Sequence, residues 1–190
     1  RNTLRFICEY RQELVELSVL DVELPLADFA SLTAAVEELA EEGYDLCLKI
    51  AGEGELEDEL RARVSSSAHA ERFEITGFVE DVPGFLEELD VYCCSSLREG
   101  LPNAVLEAMA FELPVISTRC GGMEAFLRDE EDGLLVDVGS VEAIKAGLKR
   151  LFDNPSLRER LGQRARARIL EDCSFAKRML RVRAVYDSLD

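Results

Sequence analysis

Two glutamates and a glycine turn stand where they could bind an anionic ligand that carries hydroxyl groups. Glu99 and Gly100 precede a helix predicted over residues 103–112, and Glu107 lies about two turns beyond Glu99. The first turn of a helix has backbone N–H groups without partners, and the helix dipole favours negative charge there. A carboxylate can accept two hydrogen bonds from a vicinal diol. The same spacing also occurs where both glutamates are merely solvated, so the residues alone leave both interpretations open.

The elements that must hold these residues alternate between strand and helix from about residue 44. Such alternation predicts an α/β fold, a parallel sheet with helices on both faces and a ligand at the carboxyl ends of the strands. In residues 9–27 the apolar side chains repeat neither every 2 residues, as in a strand, nor every 3.6 residues, as in a helix. Strands are predicted over residues 4–8, 45–51, 72–76, 90–94, 114–117 and 133–136. Helices are predicted over residues 28–42, 53–67, 81–89, 103–112, 123–128, 141–152, 156–170 and 175–189.

Composition narrows the class of function. The 190 residues carry 39 acidic and 22 basic side chains, a formal net charge of -17, which argues against nucleic-acid binding. An anion site must then depend on local backbone donors and a few cations. The six cysteines form no C-x-x-C pair and His69 is the single histidine, so a metal site is not expected and the thiols indicate the cytoplasm. We expect neither a signal peptide nor a membrane helix, and the first residue, which is not Met, suggests a piece of a longer chain.

The pattern around the glutamates resembles the group 1 family of retaining glycosyltransferases, which have the GT-B fold. The family signature is two glutamates with seven residues between them, a small-residue helix, a Pro-Val strand and a Gly-Gly turn. Here these are Glu99 to Asn103, Glu107 to Ala110, Leu113 to Thr118 and Gly121-Gly122. The resemblance covers about residues 44–189. It also includes Ile50 to Gly54, Phe73 to Val79, Gly133 to Val136, Asn154-Pro155 and the final helix.

The resemblance implies that residues 1–190 are one Rossmann-like domain, the C-terminal, donor-binding half of a GT-B enzyme. Residues 174–190 would form the helix that crosses to the other half. The donor substrate would be a nucleoside-diphosphate sugar, and no metal would be required. The acceptor would be a glycan or a lipid-linked glycan, in the cytoplasm or peripherally at the membrane. The N-terminal acceptor domain of such enzymes is missing, so we expect little transfer by this chain alone.

Site residues follow from the resemblance position by position. Glu99 would contact the hydroxyl groups of the donor sugar as the catalytic residue, and Glu107 would bind the ribose diol. The turn that holds the diphosphate or the sugar would consist of Gly100, Leu101, Pro102 and Asn103. Gly52 would let the nucleotide approach the backbone, and Phe78 and Val79 would contact the base edge through backbone groups.

The front of the chain departs from the family. Members carry a Gly-Arg pair after the first strand and then a Lys-Gly, which hold the diphosphate. Here Glu9-Tyr10-Arg11-Gln12-Glu13 follows the strand, and the first lysine is Lys49. Arg11 is the candidate replacement for the arginine, and nothing replaces the lysine. Residues 9–34 are therefore atypical, and losing such contacts would weaken donor binding.

Three hypotheses remain open on this basis. The first is the donor-binding domain of a hexosyltransferase in polysaccharide or glycolipid assembly. The second is a degenerate, non-catalytic domain of the same fold that serves as a binding or scaffolding module. The third, a sugar-nucleotide epimerase, needs catalytic acids that we cannot identify in the sequence.

Several residues outside the signature are assigned simpler roles. His69 is expected in a surface loop and Glu124 in the first turn of a helix. Arg119 fits either a diphosphate contact or a solvated loop. The basic residues between Arg158 and Arg168 are expected to form a solvated face, in preference to a docking surface for an acidic lipid headgroup or the missing domain. Apolar residues of the final helix are expected to pack on a core: Phe175, Met179, Leu180 and Tyr186.

Overall fold

Six parallel strands form one sheet at the centre of the structure, a computed structural model. It describes residues 4–9, 27–52, 54–98, 100 and 103–173, and positions 177, 179, 180, 183, 184 and 186; for 4–9, 27 and 28 it describes the backbone alone. The strand order is β3-β2-β1-β4-β5-β6 and every pairing is parallel, which confirms the predicted sheet. The strands are β1 (Leu4–Glu9), β2 (Leu46–Ala51), β3 (Phe73–Gly77), β4 (Val91–Cys94), β5 (Val115–Thr118) and β6 (Leu134–Val136).

Seven α-helices connect and cover the strands in the described part of the chain. A 3-10 turn, Ala70–Arg72, precedes β3 and was not predicted. The helices are α1 (Ala27–Glu41), α2 (Glu57–Ser65), α3 (Val82–Glu87), α4 (Asn103–Ala110), α5 (Gly122–Phe126), α6 (Val141–Asp153) and α7 (Pro155–Asp172). Three of them begin at a side-chain cap, since Asp81, Ser140 and Asn154 each accept a hydrogen bond from a backbone N–H in the following turn.

Side chains alternate between two hydrophobic layers, one on each face of the sheet. In β4, Val91 and Cys93 belong to the layer that α1, α2 and α6 cover. Tyr92 and Cys94 belong to the layer that α3, α4 and α5 cover. The helix α7 contributes to both layers. This alternation follows from the period of two along a strand, and both faces of β4 and β5 are buried, as their fully buried side chains show.

The strand order reverses between β1 and β4, which lie side by side although β2 and β3 separate them in sequence. Their register pairs Phe6 with Val91 and Cys8 with Cys93, so both strands end at the same edge of the sheet. Open parallel sheets bind ligands outside the carboxyl ends of the strands at such a reversal. The loop after β4, which contains the predicted site, therefore begins at this point.

The prediction that the final helix packs on a core is wrong where the structure describes it. Positions 177, 179, 180, 183, 184 and 186 have helical backbone. However, Met179, Leu180 and Tyr186 are 46%, 66% and 68% exposed, and Leu170 near the end of α7 is 65% exposed. Phe175 lies outside the described residues. No helix among the residues searched is both long and apolar enough to cross a bilayer.

Candidate functional site

The loop after β4 is tied to the neighbouring strand before it reaches the predicted site. Ser95 is buried, and the fully buried Thr118 at the end of β5 donates a hydrogen bond from its Oγ1 to the carbonyl of Ser96. A buried hydroxyl needs such a partner, because leaving it unpaired would cost free energy. The hydrogen bond fixes the direction in which the chain leaves the sheet. Thr118 thus positions the loop that leads to Gly100.

Gly100 lies directly against the Gly-Gly turn that opens α5. A Cβ atom added to Gly122 would stand 1.6 Å from the Gly100 carbonyl oxygen and 2.4 Å from the carbonyl carbon. Gly121 has a φ of +41°, a conformation that favours glycine. The two turns therefore touch backbone to backbone, which only glycine at position 122 allows. Around Gly100 itself a Cβ atom would meet no described residue within 4 Å, so the described part of the chain leaves the other side of this residue open.

Helix α4 also begins at the carboxyl edge of the sheet, and one side of this helix is accessible to solvent. Asn103 is exposed and Glu107, four residues later, is half-buried, whereas Ala104, Val105 and Ala108 are buried. Residues four apart lie above one another on a helix, so Asn103 and Glu107 share the accessible stripe. The helix start points its N–H groups to the carboxyl edge of the sheet. This arrangement suits an anion at Asn103 and a diol near Glu107.

A second pair of predicted segments meets at the ends of β2 and β3. The N–H of Gly52 donates to the carbonyl of Gly77 over 2.8 Å, and both residues have positive φ, +134° and +70°. The register between β2 and β3 shifts at this point, between Ile50 and Ala51. Phe78 is 70% exposed and Val79 is half-buried directly beyond the junction. Gly52, Phe78 and Val79 therefore lie at the same carboxyl edge as Gly100.

Arg119, the candidate diphosphate contact after β5, is held in an ion pair. Its Nη2 lies 2.6 Å from Oδ2 of Asp129, and Oδ1 of that aspartate accepts a hydrogen bond from the N–H of Leu135. The Arg119 N–H donates to the carbonyl of Val136. The side chain is 37% exposed, so it is neither a solvated loop residue nor an unpaired cation. Its charge is largely balanced by Asp129.

Cys94 and Cys120 form a thiol pair beneath the two turns. Both are buried in the layer that α4 covers. A hydrogen bond with Cys120, together with burial, raises the pKa of the Cys94 thiol well above its usual range. The thiol is the unreactive form, and cysteines in such surroundings behave as small apolar residues. These cysteines therefore belong to the packed layer from which the two loops leave.

The basic cluster of α7 is solvated in part, as predicted, while three of its arginines also bind other groups of the same molecule. Arg158 donates to the carbonyls of Leu151 and Phe152 at the end of α6. Arg166 pairs with Glu112, and Nη2 of Arg168 donates to the carbonyl of Phe126 at the end of α5, besides pairing with Asp172 within α7 itself. Arg160 and Arg164 are exposed. Most of this cluster attaches α7 to the helices and turns around it.

Four predicted site residues, Arg11, Glu99, Leu101 and Pro102, lie outside the described residues. Their roles and the meeting of Glu99 with Glu107 remain predictions. Among the residues that were searched, no group of three or more His, Cys, Asp or Glu side chains could hold a metal ion. That the site needs no metal also remains a prediction. His69 is partly buried beside the 3-10 turn and Glu124 lies exposed in the first turn of α5.

Comparisons with known proteins identify the family. The family model described as glycosyl transferases group 1 matches residues 27–168. The chain is similar to the lipopolysaccharide core biosynthesis glycosyltransferase LpsE of Rhizobium meliloti, with 37% identity over 117 residues that cover 62% of this chain and 34% of that protein. It is also similar to a UDP-Gal:alpha-D-GlcNAc-diphosphoundecaprenol alpha-1,3-galactosyltransferase of Escherichia coli, with 28% identity over 75% of this chain and 37% of the other.

Solved structures share the fold. A mutant of S. aureus TarM in complex with Fondaparinux, alpha-GlcNAc-glycerol and UDP superposes with a TM-score of 0.78 and 20% identity, over 90% of this chain and 32% of that one. The neighbours are GT-B glycosyltransferase domains, so the predicted fold class is confirmed. The chain spans about a third of the length of the curated relatives it matches, 34% for LpsE.

Proposed function

Because this chain belongs to the group 1 glycosyl transferases, we propose that it is the donor-binding domain of a retaining glycosyltransferase. Its ligand would be a nucleoside-diphosphate hexose. The observation that carries the proposal is the contact between Gly100 and Gly122, beside an accessible helix start at the strand-order reversal. This contact fixes the backbone of the Gly100 turn beside the start of α4. It leaves one side of Gly100 open to a ligand. The place is where a diphosphate would find both N–H groups and the positive end of a helix.

Each part of the site has a task in this proposal. The start of α4, with Asn103, binds the diphosphate, and Glu107 accepts hydrogen bonds from the ribose hydroxyls one turn further along. The junction of Gly52 with Gly77 brings the base beside Phe78 and Val79. Glu99 contacts the donor sugar. In a transfer reaction the diphosphate leaves as an anion, so fixed donors at this helix start would stabilise charge as it develops.

The proposed diphosphate site has few cations to assist it. Asp129 already balances the charge of Arg119, and Lys49 lies 2.8 Å from Glu88. Among the described residues, Arg98 is an exposed cation two residues before Gly100. Unless Arg98 or Arg11 contributes, the backbone donors and the helix dipole must supply most of the attraction. We expect donor affinity to be modest for this reason, since charge-assisted hydrogen bonds are the stronger ones.

The acceptor would bind to a second domain of the whole protein. The similar Escherichia coli enzyme is named for a galactosyl donor and a diphosphoundecaprenol acceptor, which supports a hexose donor and a lipid-linked glycan acceptor. Transfer by the 190-residue chain alone should be slight, because the catalytic cleft of a two-domain enzyme needs both halves. The full protein would work in the cytoplasm or at the membrane surface.

The second candidate function is a non-catalytic module of the same fold. The net charge of -17 favours it, as does the ion pair that occupies Arg119. A folded chain that binds no nucleotide, yet forms a stable complex with a protein partner, would support this candidate over the first.

Isothermal titration with UDP, GDP and ADP, and then with the matching sugar nucleotides, tests the proposal. We expect saturable binding of one base class. Glu107→Ala should weaken it about 10- to 100-fold, the effect of losing a charged hydrogen-bonding group of about 1.5–3 kcal/mol. Glu159→Ala, an exposed glutamate of α7, is the matched control and should bind like the parent chain. Binding of none of the three nucleotides would contradict the proposal.

A further inference from the structure

Gly162 in α7 contacts the turn that follows α4, the helix that carries Asn103 and Glu107. A Cβ atom added to Gly162 would stand 1.9 Å from the carbonyl oxygen of Glu112 and 2.9 Å from its carbonyl carbon. Ordinary van der Waals contact begins near 3.4 Å. The obstacle is backbone, which cannot rotate away as the end of a side chain can. A methyl group at position 162 would therefore separate α7 from the turn after α4 by about 1.5 Å.

Backbone hydrogen bonds attach the turn that Gly162 contacts to the last turn of α4. The N–H of Leu113 donates to the carbonyl of Ala108, and the N–H of Glu112 donates to that of Met109, both over 3.1 Å. These two bonds form the Schellman arrangement that ends a helix. Arg166, one turn beyond Gly162, reaches Oε2 of Glu112 over 2.9 Å. The carbonyl at position 112 therefore cannot move far without moving the last turn of α4.

The contact continues along the buried side of α4. Ala165 of α7 is fully buried in the same layer as Ala104, Val105 and Ala108. Small residues at such a contact let two helices approach closely, and interiors this dense transmit displacement. Helix α4 is thus fixed against α7 by its buried side and its last turn. Asn103 and Glu107 lie on the accessible side of the same eight-residue helix.

We propose that Gly162 is a positioning residue for nucleotide binding, because its missing side chain sets how close α4 lies to α7. This inference rests on the proposed function. Gly162 touches no ligand, and its effect passes through the backbone of Glu112 to α4. A shift of about an ångström exceeds the tolerance of a pre-organised site, so it should weaken binding more than it weakens the fold.

The test compares Gly162→Ala with two variants of α6, which lies over the opposite face of the sheet. Gly147→Ala makes the same exchange within a helix, but its new methyl would meet the end of the Ile116 side chain. Ile144→Val removes one methylene from the layer that α1 and α6 share, so it lowers stability without changing α4. The melting temperature and the dissociation constant of the preferred nucleotide are measured for all four chains. Titrations are run well below every melting temperature.

Gly162→Ala should weaken nucleotide affinity about tenfold or more, whereas both α6 variants should keep the parent affinity, whatever their melting temperatures. If Gly162→Ala does not fold, Arg166→Leu loosens the same turn without adding bulk at the contact and should weaken binding a few-fold. Unchanged affinity in whichever variant folds would overturn the proposal. A parent chain that binds no nucleotide would instead contradict the proposed function itself, which separates the two failures.

Discussion

At the scale of single residues, the contact between Gly122 and Gly100 gives a sharp test of the site. Gly122→Ala would place a methyl group on the Gly100 carbonyl, so one of the two turns must move. We expect a lower melting temperature and loss of nucleotide binding in titration. Gly100→Ala is the matched control for the fold, because its Cβ atom meets nothing within 4 Å, and it should melt like the parent. Equal melting temperatures for the two variants would contradict this account.

Glu112 occupies a conformation that costs free energy. Its φ is +63°, at the position after α4 where helices usually have glycine. A non-glycine residue in the left-handed region costs about 1–2 kcal/mol. Glu112→Gly removes this cost but also the half-exposed ion pair with Arg166, which stabilises by less than about 1 kcal/mol.

Comparison of two variants separates these contributions. Glu112→Gln loses the charge pair and keeps the strained backbone, whereas Glu112→Gly loses both. The free energy of unfolding in urea should therefore be about 1 kcal/mol higher for Glu112→Gly than for Glu112→Gln. An equal free energy for the two would show that the surrounding turn imposes no strain on residue 112.

The residues of the candidate site could be predicted from the sequence, but the contacts that position them could not. Gly100, Asn103 and Glu107 were predicted from a turn and a helix start, which are local features. The backbone contact between Gly100 and Gly122 joins two loops that are far apart in sequence. The spacing of residues along the chain therefore could not reveal it. The pairing of Arg119 with Asp129 was missed for the same reason. A buried threonine at the end of an apolar strand, Thr118, was the one local signal that was overlooked.

At the scale of elements, the strands were predicted well because they are short and most are rich in apolar residues. Helix ends were predicted less well. The helix predicted over residues 103–112 stops at Ala110, since Glu112 takes a left-handed conformation that its residue type disfavours. The helix predicted from residue 53 begins at Glu57, after a turn. Backbone conformations that oppose residue preference depend on tertiary contacts and cannot be deduced from the sequence.

The loop before β6 is attached to α6 by an ion pair whose strength depends on pH. Both carboxylate oxygens of Glu130 lie 2.7 Å from the guanidinium of Arg150, and this hydrogen bonding lowers the pKa of Glu130 below its ordinary value of 4.5. A lowered carboxyl pKa stabilises the fold above the unfolded-state value, and the stabilisation is lost as the pH falls through the folded-state value.

Glu130→Gln should therefore lower stability only where the carboxylate is charged. Because the pair is half-exposed, we expect a loss of less than about 1 kcal/mol at neutral pH. The gap in melting temperature between the parent and the variant should be complete above the unfolded-state pKa of Glu130 and should shrink as the pH falls through its lowered folded-state pKa. A gap that does not shrink as the pH falls would show that Glu130 acts through packing instead of charge.

At the scale of the whole molecule, the charge of -17 should destabilise the compact state through repulsion. Salt screens such repulsion between exposed charges, so the melting temperature should rise from about 20 mM to about 300 mM sodium chloride. Ion pairs between α1 and α6, such as Lys145 with Glu38, act in the opposite direction because salt weakens them too. A fall in melting temperature with salt would mean that these pairs outweigh the net repulsion.

The architecture as a whole was the easiest part to predict. Regular alternation of strand and helix admits few topologies, and the strand order places a ligand site at the reversal between β1 and β4. The resemblance to a family then assigned roles that physical reasoning about Glu107 or Asn103 alone left open. For the proposed donor, nothing local in the sequence encodes which sugar or which base it would carry.

Helix α7 belongs to both hydrophobic layers. Leu157 and Leu161 pack with α1 and α6 on one face of the sheet, while Ala165 packs with α4 on the other. Neither layer can melt while the other stays intact, because α7 would have to leave both. Amide hydrogens of α4 and of α6 should then exchange through one common opening event, with equal free energies. If the domain opens in a single cooperative transition, a substitution that destabilises the layer around α4 should lower the free energy of opening of the entire domain.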